Sequence, residues 1–265
     1  MNSEKNKKLH EILIVGGGAG GLELATRLGD SLGKKQKATI TLVDSKKTHV
    51  WKPLLHEIAA GSLNPEKDEL DYLAQAHWHN FKFRLGRMIS LDRSKKEIIL
   101  ESFKDDDGVE IIPNRKFNYD TLILSVGSTI NDFGIKGASQ NTIALDTQDQ
   151  AERFHLKLHN AILKAQTQSS DDFGFPLREP EQLEVVIVGA GATGVELAAE
   201  LHKATREMTA YGLDNINPDR DIKISLIEAS DRLLPALPKR MSYSVESELK
   251  KLNVNLYLGE KVTEV

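Results

Sequence analysis

Two stretches of the chain repeat one pattern of apolar and small residues. Each begins with a β-branched run, at Ile12–Val15 and at Val185–Val188, which predicts a strand buried on both faces of a parallel sheet. Three closely spaced glycines follow, and the apolar residues after them recur at helical spacing. The pattern therefore predicts a strand, a tight glycine turn and a helix, twice in one chain.

The two copies align at a constant offset of 173. Ten of sixteen residues in 13–28 are identical to their counterparts in 186–201. A second predicted strand in each copy, "ATITLVD" or "IKISLIE", ends in an acid, Asp44 or Glu228. These two acids are 184 apart, which predicts an 11-residue insertion in the second copy, in the loop "TAYGLDNINPDR" at 209–220.

This combination is typical of a dinucleotide-binding fold. The glycines permit a tight turn, close approach of a pyrophosphate and close packing of helix on strand, while the acid binds a ribose hydroxyl. The pyrophosphate lies on the free amides of the helix N-terminus. A lone glycine motif is also found in plain strand-to-helix corners, but here each copy has its acid. We therefore predict an α/β protein with two Rossmann-like dinucleotide-binding domains, a design that suits FAD paired with a nicotinamide nucleotide.

Shorter elements are predicted between and after the copies. They are strands in 81–86, 97–100 and 119–128, a polar hairpin at 104–116, a helix whose apolar positions are Ala151, Phe154, Leu158, Ala161, Ile162 and Ala165, and a polar loop at 166–182.

Composition excludes several classes of function. The net charge of -4 and pI near 6.1 provide no broad attraction for nucleic acid. The chain has no cysteine, which excludes disulfides, thiolate metal sites, iron–sulfur clusters and thiol catalysis within it. No apolar stretch is long enough to predict a membrane span. His77, His79, His155 and His159 lack further ligands and an HExxH motif, so we predict surface histidines and no metal.

The N-terminal residues imitate a secretory leader. A basic start, an apolar run and small residues follow one another in "MNSEKNKKLHEILIVGGGAGGL". Because the same glycine register recurs 173 residues later, we expect this segment to be a strand and loop of the fold instead.

The order of elements resembles the two-dinucleotide-binding flavoprotein reductases. More narrowly, "THVWKPLLHEIAAGSL", "GATGVELAAELH" and "EASDRLLPALP" are similar to the type II NADH dehydrogenases, the single-subunit NADH:quinone oxidoreductases. The resemblance covers residues 10–265 and implies an FAD-binding domain at 1–145 and an NADH-binding domain at 146–265. Members of that family continue further, so the chain resembles a C-terminally truncated member with an incomplete FAD domain. The quinone-site region and membrane-binding end would lie in the missing part.

The resemblance also implies which residues bind each nucleotide. The residues implied for FAD are Gly16, Gly18, Ala19, Gly20, Gly21, Asp44, Lys52, Pro53, Met88 and Gly127. Those implied for NADH are Gly189, Gly191, Thr193, Gly194, Glu196 and Glu228. Lys52 would stabilise negative charge on the reduced flavin, and the backbone near Met88 would meet adenine. Glu228 would favour NADH over NADPH, with Arg232 near enough to weaken that preference.

Each of these assignments has a simpler alternative. Met88 and Gly127 also fit buried strands that end in turns, and Lys52 also fits a solvated loop lysine. Glu196, the implied catalytic residue near the nicotinamide and the quinone path, also fits a carboxylate stabilised by the helix dipole, as does its counterpart Glu23.

The implied activity transfers hydride from NADH to FAD and then two electrons to a membrane quinone. The implied partners are NADH and quinone, with no nucleic acid, peripheral contact on the cytoplasmic face of the inner membrane, and a homodimer as a candidate assembly. The lack of cysteine disfavours dithiol and sulfide oxidoreductases. Reductases that use a ferredoxin or oxygen, and a nucleotide-binding module without activity, stay open as alternatives.

Overall fold

The computed structural model describes residues 8–168, 183–211 and 216–265. The strands are β1 (His10–Val15), β2 (Ala38–Asp44), β3 (Thr48–His49), β4 (Leu70–Asp71), β5 (Lys82–Leu85), β6 (Met88–Asp92), β7 (Glu97–Leu100), β8 (Phe103–Lys104), β9 (Glu110–Ile112), β10 (Arg115–Asn118), β11 (Thr121–Leu124), β12 (Leu183–Val188), β13 (Ile222–Glu228) and β14 (Asn255–Leu258). The α-helices are α1 (Ala19–Leu28), α2 (Leu55–Ala60), α3 (Pro65–Asp68), α4 (Tyr72–Trp78), α5 (Ala138–Asn141), α6 (Gln148–Gln168), α7 (Ala192–Ala210), α8 (Pro218–Asp221) and α9 (Lys239–Lys251). A π-helical turn covers Gly29–Gly33 and a 3-10 turn covers Lys52–Leu54.

The chain divides into two compact units. Among the described residues, the first unit contains those up to Lys52 together with Asp68–Ser128, and the second contains Pro53–Lys67 and Thr129 onward. The units therefore differ from the predicted ranges 1–145 and 146–265, because 53–67 and 129–145 pack with the second unit. The assignment of the two nucleotides to those predicted ranges stays a prediction.

The first unit is built around a parallel sheet with the strand order β11-β1-β2-β5. Side chains of β1 alternate between its two faces. Ile14 packs with Leu42 and with residues of α1 and α4, whereas Leu13 and Val15 pack with Ile98 and Leu100 on the opposite face. Both faces of β1 are thus covered, which explains its continuous apolar run.

An antiparallel sheet, in the order β10-β7-β6, forms the second layer of this unit. Its strand β7 supplies the buried residues Ile98 and Leu100. The predicted hairpin at 104–116 is confirmed as the antiparallel pair β8 and β9, which a turn after Asp105 connects.

The second unit repeats the parallel arrangement with the strand order β12-β13-β14. The prediction that this copy's first strand is buried on both faces is wrong, because Val186 and Val188 on one face of β12 are 51% and 55% exposed. Helix α7 packs on this sheet, with Leu197 and Leu201 buried. The helix predicted from the apolar positions between Ala151 and Ala165 is confirmed as α6, with Ala151, Leu158 and Ile162 buried. Helix α2 packs against both α6 and α7. Most of the predicted polar loop at 166–182 lies outside the described residues.

The predicted insertion at 209–220 is not a loop throughout. Thr209 and Ala210 complete α7, and Pro218–Asp221 form α8, capped by the side chain of Asn217. Residues 212–215 of this segment lie outside the described ranges. Within those ranges, no helix combines the length and the apolar character needed to cross a bilayer.

Candidate functional site

The first glycine loop connects β1 to α1. Gly16 has φ of +101°, a conformation that side chains disfavour, and its amide donates to the Val43 carbonyl at 2.8 Å. A Cβ on Gly16 would overlap the Ser125 carbonyl, and a Cβ on Gly21 would overlap the Gly16 carbonyl. The tight turn and the packing of α1 on the loop therefore both require glycine.

Asp44, at the end of β2, supports this loop with its carboxylate. Oδ2 accepts from the Gly17 amide at 2.6 Å, and Oδ1 accepts from the Lys46 amide at 2.9 Å. Each carboxylate oxygen has two lone pairs, so both keep acceptor capacity for a ribose hydroxyl. The Gly86 amide donates to the Asp44 carbonyl at 2.8 Å, which brings the segment leading to half-buried Met88 beside this acid.

Tyr72, at the start of α4, contacts the first glycine loop from the buried core. The sequence motifs did not predict this contact. Its side chain is 2% exposed, and its hydroxyl donates to the Gly17 carbonyl at 2.7 Å. The ring stacks on Phe83 with centroids 5.0 Å apart. Burial, and then the charge of Asp44, raise the pKa of the Tyr72 hydroxyl well above its usual value, so it remains a donor at neutral pH. In the sequence Tyr72 is indistinguishable from any aromatic core residue.

The N-terminus of α1 is open to an anion. The helix begins at Ala19 with no side-chain cap at Gly18, so its first amides lack partners within the helix. A Cβ on Gly18 or Gly20 would meet nothing within 4 Å. This N-terminus suits a pyrophosphate, because it offers free amides, the positive end of the helix dipole and unfilled space.

The second glycine loop repeats this geometry between β12 and α7. Gly189 has φ of +102°, and its amide donates to the Ile227 carbonyl at 2.8 Å. A Cβ on Gly194 would overlap the Gly189 carbonyl, whereas a Cβ on Gly191 would meet nothing within 4 Å. Thr193 is exposed in the first turn of α7, which has no side-chain cap. This loop therefore also presents an open helix N-terminus.

Glu228 supports the second loop as Asp44 supports the first. Its Oε2 accepts from the Ala190 amide and its Oε1 from the Ser230 amide, both at 2.8 Å. Burial acts to raise the pKa of this carboxyl, but the hydrogen bonds from the Ser230 and Ala190 amides outweigh it, so that the pKa lies below its usual value. Glu228 is therefore ionised at neutral pH, as repulsion of a 2'-phosphate requires.

Arg232 is engaged by the loop that follows it. One guanidinium nitrogen donates to the Leu237 carbonyl at 2.8 Å and to the Ser242 hydroxyl at 2.9 Å, and another donates to the Pro235 carbonyl. These bonds tie its charge to the turn before α9, which limits its use for a 2'-phosphate.

Two of the residues implied for the flavin are brought together in the first unit. The Lys52 ammonium donates to the Ser128 carbonyl at 3.0 Å, next to Gly127, which has φ of +72° and open space at its Cβ position. Pro53 begins the second unit, where its carbonyl lies 2.8 Å from His56 Nδ1 and accepts a hydrogen bond from it.

Glu196 contacts a histidine from a different helix. Its side chain is 50% exposed, and its Oε2 lies 3.6 Å from Nδ1 of His56, on α2. His56 is 12% exposed, and its Nε2 lies 4.0 Å from Glu57. The counterpart Glu23 instead pairs with Arg27 of its own helix at 2.5 Å. The sequence alone did not reveal His56 as the neighbour of Glu196.

The described residues contain no group of three or more acidic or histidine side chains placed to hold a metal. His155 and His159 lie with ring centroids 6.4 Å apart, and His79 Nδ1 lies 3.0 Å from Asp30.

Comparison with known proteins agrees with this architecture. The sequence profile of the family described as pyridine nucleotide-disulphide oxidoreductase matches residues 10–265. A solved structure of NDH2 from Plasmodium falciparum superposes with a TM-score of 0.80 at 24% identity, covering 97% of this chain and 49% of that chain. The predicted α/β fold of the two-dinucleotide-binding flavoproteins is confirmed.

Curated relatives agree with the narrower resemblance. A type II NADH:quinone oxidoreductase of Haemophilus influenzae is 42% identical over 262 residues, which are 97% of this chain and 59% of the relative. A type II NADH:quinone oxidoreductase of Mycobacterium tuberculosis is 28% identical over 97% of this chain and 51% of its own length. The chain thus spans between half and three fifths of these relatives. Because one family profile accounts for nearly all of its residues, the chain belongs to the pyridine nucleotide-disulphide oxidoreductase family.

Proposed function

We propose that this chain carries the nucleotide-binding part of a type II NADH:quinone oxidoreductase. The observation that carries the proposal is the pair of open glycine loops, each supported by an acid at the end of the neighbouring strand. The 42% identity to the Haemophilus influenzae enzyme supports NADH as electron donor and quinone as acceptor.

The first loop holds FAD and the second holds NADH. Gly18, Ala19 and Gly20 offer amides to the FAD pyrophosphate, and Asp44 accepts from its ribose. In the second loop, Gly191 and Thr193 offer amides to the NADH pyrophosphate. Glu228 accepts a hydrogen bond from the adenosine ribose of NADH. FAD, when bound, accepts two electrons as hydride and passes them on singly or in pairs. We assign Lys52 and Gly127 to the flavin ring and Met88 to adenine, as the family resemblance implies.

Glu196 supplies a proton in this proposal. Oxidation of NADH releases one hydride, whereas reduction of a quinone to a quinol takes two electrons and two protons. One proton must therefore come from water. The Glu196 carboxylate, half exposed and beside His56, is placed to take up that proton at Oε2 and donate it to the quinone.

Other parts of the proposal concern the whole protein. A quinone acceptor resides in a bilayer, which supports peripheral contact with a membrane. Contact on the cytoplasmic face of the inner membrane stays a prediction. A homodimer stays a prediction. Ferredoxin-type or oxygen-reducing activity is the second candidate, because the same two nucleotide loops would serve it. A module without activity is the third, since the chain spans 59% of its Haemophilus relative.

Stopped-flow absorption of the full-length protein tests the proposal. NADH should bleach the flavin absorption, a short-chain quinone should restore it, and steady-state turnover should follow ping-pong kinetics. Bleaching without quinone-dependent recovery would contradict quinone as the electron acceptor, and a ferredoxin-type protein or oxygen would then be the next candidates. A colourless protein that binds only NADH would be the inactive module.

The variant Glu196→Gln tests the proton donor. We expect it to slow quinone-dependent recovery by roughly 100-fold and to slow bleaching by NADH far less. The matched control is Glu23→Gln, which removes the counterpart carboxylate from the same position of α1. Equal slowing of both half-reactions by Glu196→Gln would assign Glu196 to NADH binding instead.

A further inference from the structure

The residue after the first glycine of each loop is held at both of its backbone groups. In the first loop, the Gly17 amide donates to Asp44 at 2.6 Å and the Gly17 carbonyl accepts from the Tyr72 hydroxyl at 2.7 Å. In the second loop, the Ala190 amide donates to Glu228 at 2.8 Å. The Ala190 carbonyl accepts from the Leu234 amide, also at 2.8 Å. The carbonyl thus accepts from a tyrosine side chain in the first loop and from a main-chain amide in the second.

The hydrogen bond accepted by the Gly17 carbonyl fixes the direction of the Gly18 amide. The Gly17 carbonyl and the Gly18 amide belong to one planar trans peptide, so they point to opposite sides. Tyr72 holds the carbonyl on the buried side, and the Gly18 amide therefore faces the other way. A Cβ on Gly18 would meet nothing within 4 Å.

Tyr72 has little freedom to do anything else. Its ring stacks on Phe83, lies 6.3 Å from the His49 ring and is 2% exposed. A Cβ on Gly17 would lie 2.5 Å from the Tyr72 hydroxyl oxygen. This contact accounts for glycine at position 17. The corresponding residue of the second copy is Ala190, whose carbonyl accepts from a backbone amide and not from a tyrosine hydroxyl.

We propose that Tyr72 is a positioning residue for the FAD pyrophosphate. Its hydroxyl holds the Gly17–Gly18 peptide so that the Gly18 amide is presented to the phosphate before the nucleotide arrives. Leu234 has the same role for the Gly191 amide in the second loop. The inference rests on the proposed function in one respect, the assignment of FAD to the first loop.

The variant Tyr72→Phe tests this role because it removes the hydroxyl and keeps the stacked ring. We expect the dissociation constant of FAD, measured by quenching of flavin fluorescence, to rise about tenfold. The affinity for NADH, bound by the second loop, should be unchanged. The control Tyr243→Phe removes a hydroxyl from a tyrosine that is 62% exposed and should change neither affinity.

Amide hydrogen exchange provides a readout that needs no bound nucleotide. In the chain without ligand, Tyr72→Phe should accelerate exchange of the Gly17 amide, which is hydrogen-bonded to Asp44, and leave exchange of the Ala190 amide, which is hydrogen-bonded to Glu228, unchanged. Unchanged exchange and unchanged FAD affinity in a folded Tyr72→Phe chain would overturn the inference. If wild type takes up no FAD, the proposed function fails for this chain, and hydrogen exchange then decides the role of Tyr72 in the loop.

A measurement on wild type covers the case in which Tyr72→Phe does not fold. The Tyr72 hydroxyl proton should exchange slowly enough to give its own NMR signal, and FAD should shift that signal. Rapid exchange of this proton, as for an exposed tyrosine, would contradict a persistent bond to the Gly17 carbonyl.

Discussion

Gly16 and Gly189 occupy the same place in the two glycine loops, with φ of +101° and +102° and amides 2.8 Å from a carbonyl of the next strand. Their surroundings differ. A Cβ on Gly16 would overlap the Ser125 backbone, whereas a Cβ on Gly189 would meet nothing within 4 Å. The reason is that β11 flanks β1, whereas in the described part of the chain β12 pairs only with β13. Glycine at 16 is thus required by conformation and by packing, and glycine at 189 by conformation alone.

The groups that donate to the carbonyls of Gly17 and Ala190 also differ between the two loops. Tyr72 reaches Gly17 from the buried core, and Leu234 reaches Ala190 through its backbone, from the loop that Arg232 holds together. Two similar loops therefore depend on different parts of the chain. The first depends on a core aromatic residue, and the second depends on the conformation of a surface loop.

The carboxylates that follow the loops have also diverged. Both carboxylates are exposed, but Glu23 pairs with Arg27 on the same helix, whereas Glu196 contacts His56 of α2. An identical residue at an equivalent position thus has a local partner in one copy and a partner distant in sequence in the other. This difference supports a specific role for Glu196 and not for Glu23.

The largest expected effects come from valine substitutions that block one nucleotide site and leave the other open. Gly18 has φ of -59°, outside the left-handed region that favours glycine, and a Cβ there would meet nothing within 4 Å, so Gly18→Val should still fold. The valine would occupy the pyrophosphate position. In the full-length protein Gly18→Val should abolish flavin retention, and Gly191→Val should retain flavin but abolish its reduction by NADH. Absorption spectra and thermal unfolding check both, and exchanged effects would reverse the assignment of the sites.

A second comparison concerns the residues after the first glycines. Gly17→Ala should lower the free energy of unfolding by roughly 1–3 kcal/mol, because the new methyl group meets the Tyr72 hydroxyl and the ring has no room to move. Ala190→Gly removes a fully buried methyl and should cost about 1 kcal/mol. Urea unfolding of the two variants measures the difference. A loss for Gly17→Ala that is smaller than the loss for Ala190→Gly would mean that Tyr72 does not restrict position 17.

A third comparison concerns nucleotide preference. Glu228→Gln should lower the ratio of kcat/KM for NADH over NADPH by about tenfold, roughly 1.4 kcal/mol, because it removes a charge that repels the 2'-phosphate. The variant also loses one of the two hydrogen bonds accepted from the Ala190 and Ser230 amides, because the glutamine NH2 group cannot accept. This loss affects both nucleotides alike and cancels in the ratio. An unchanged ratio would place the discrimination in residues other than Glu228.

Much of the fold could be predicted from local sequence. Strands β1, β2, β12 and β13, and helices α1, α6 and α7, each follow from apolar spacing, and the glycines follow from the turns they make. The acids Asp44 and Glu228 could be located because they end predicted strands. The residues 53–67 could not be assigned to the second unit, because the helix α2 is too short for its pattern to show which partners it buries against.

The sequence by itself determined that there are two nucleotide loops, where each begins, and which acid accompanies each, because all three depend on spacing within one strand, turn and helix. Only the tertiary structure decided which groups support the loops and the carboxylates. Tyr72 lies 55 residues from Gly17, and His56 lies 140 residues from Glu196. Such partners are set by how helices and strands pack, and packing leaves no periodic signal in the sequence.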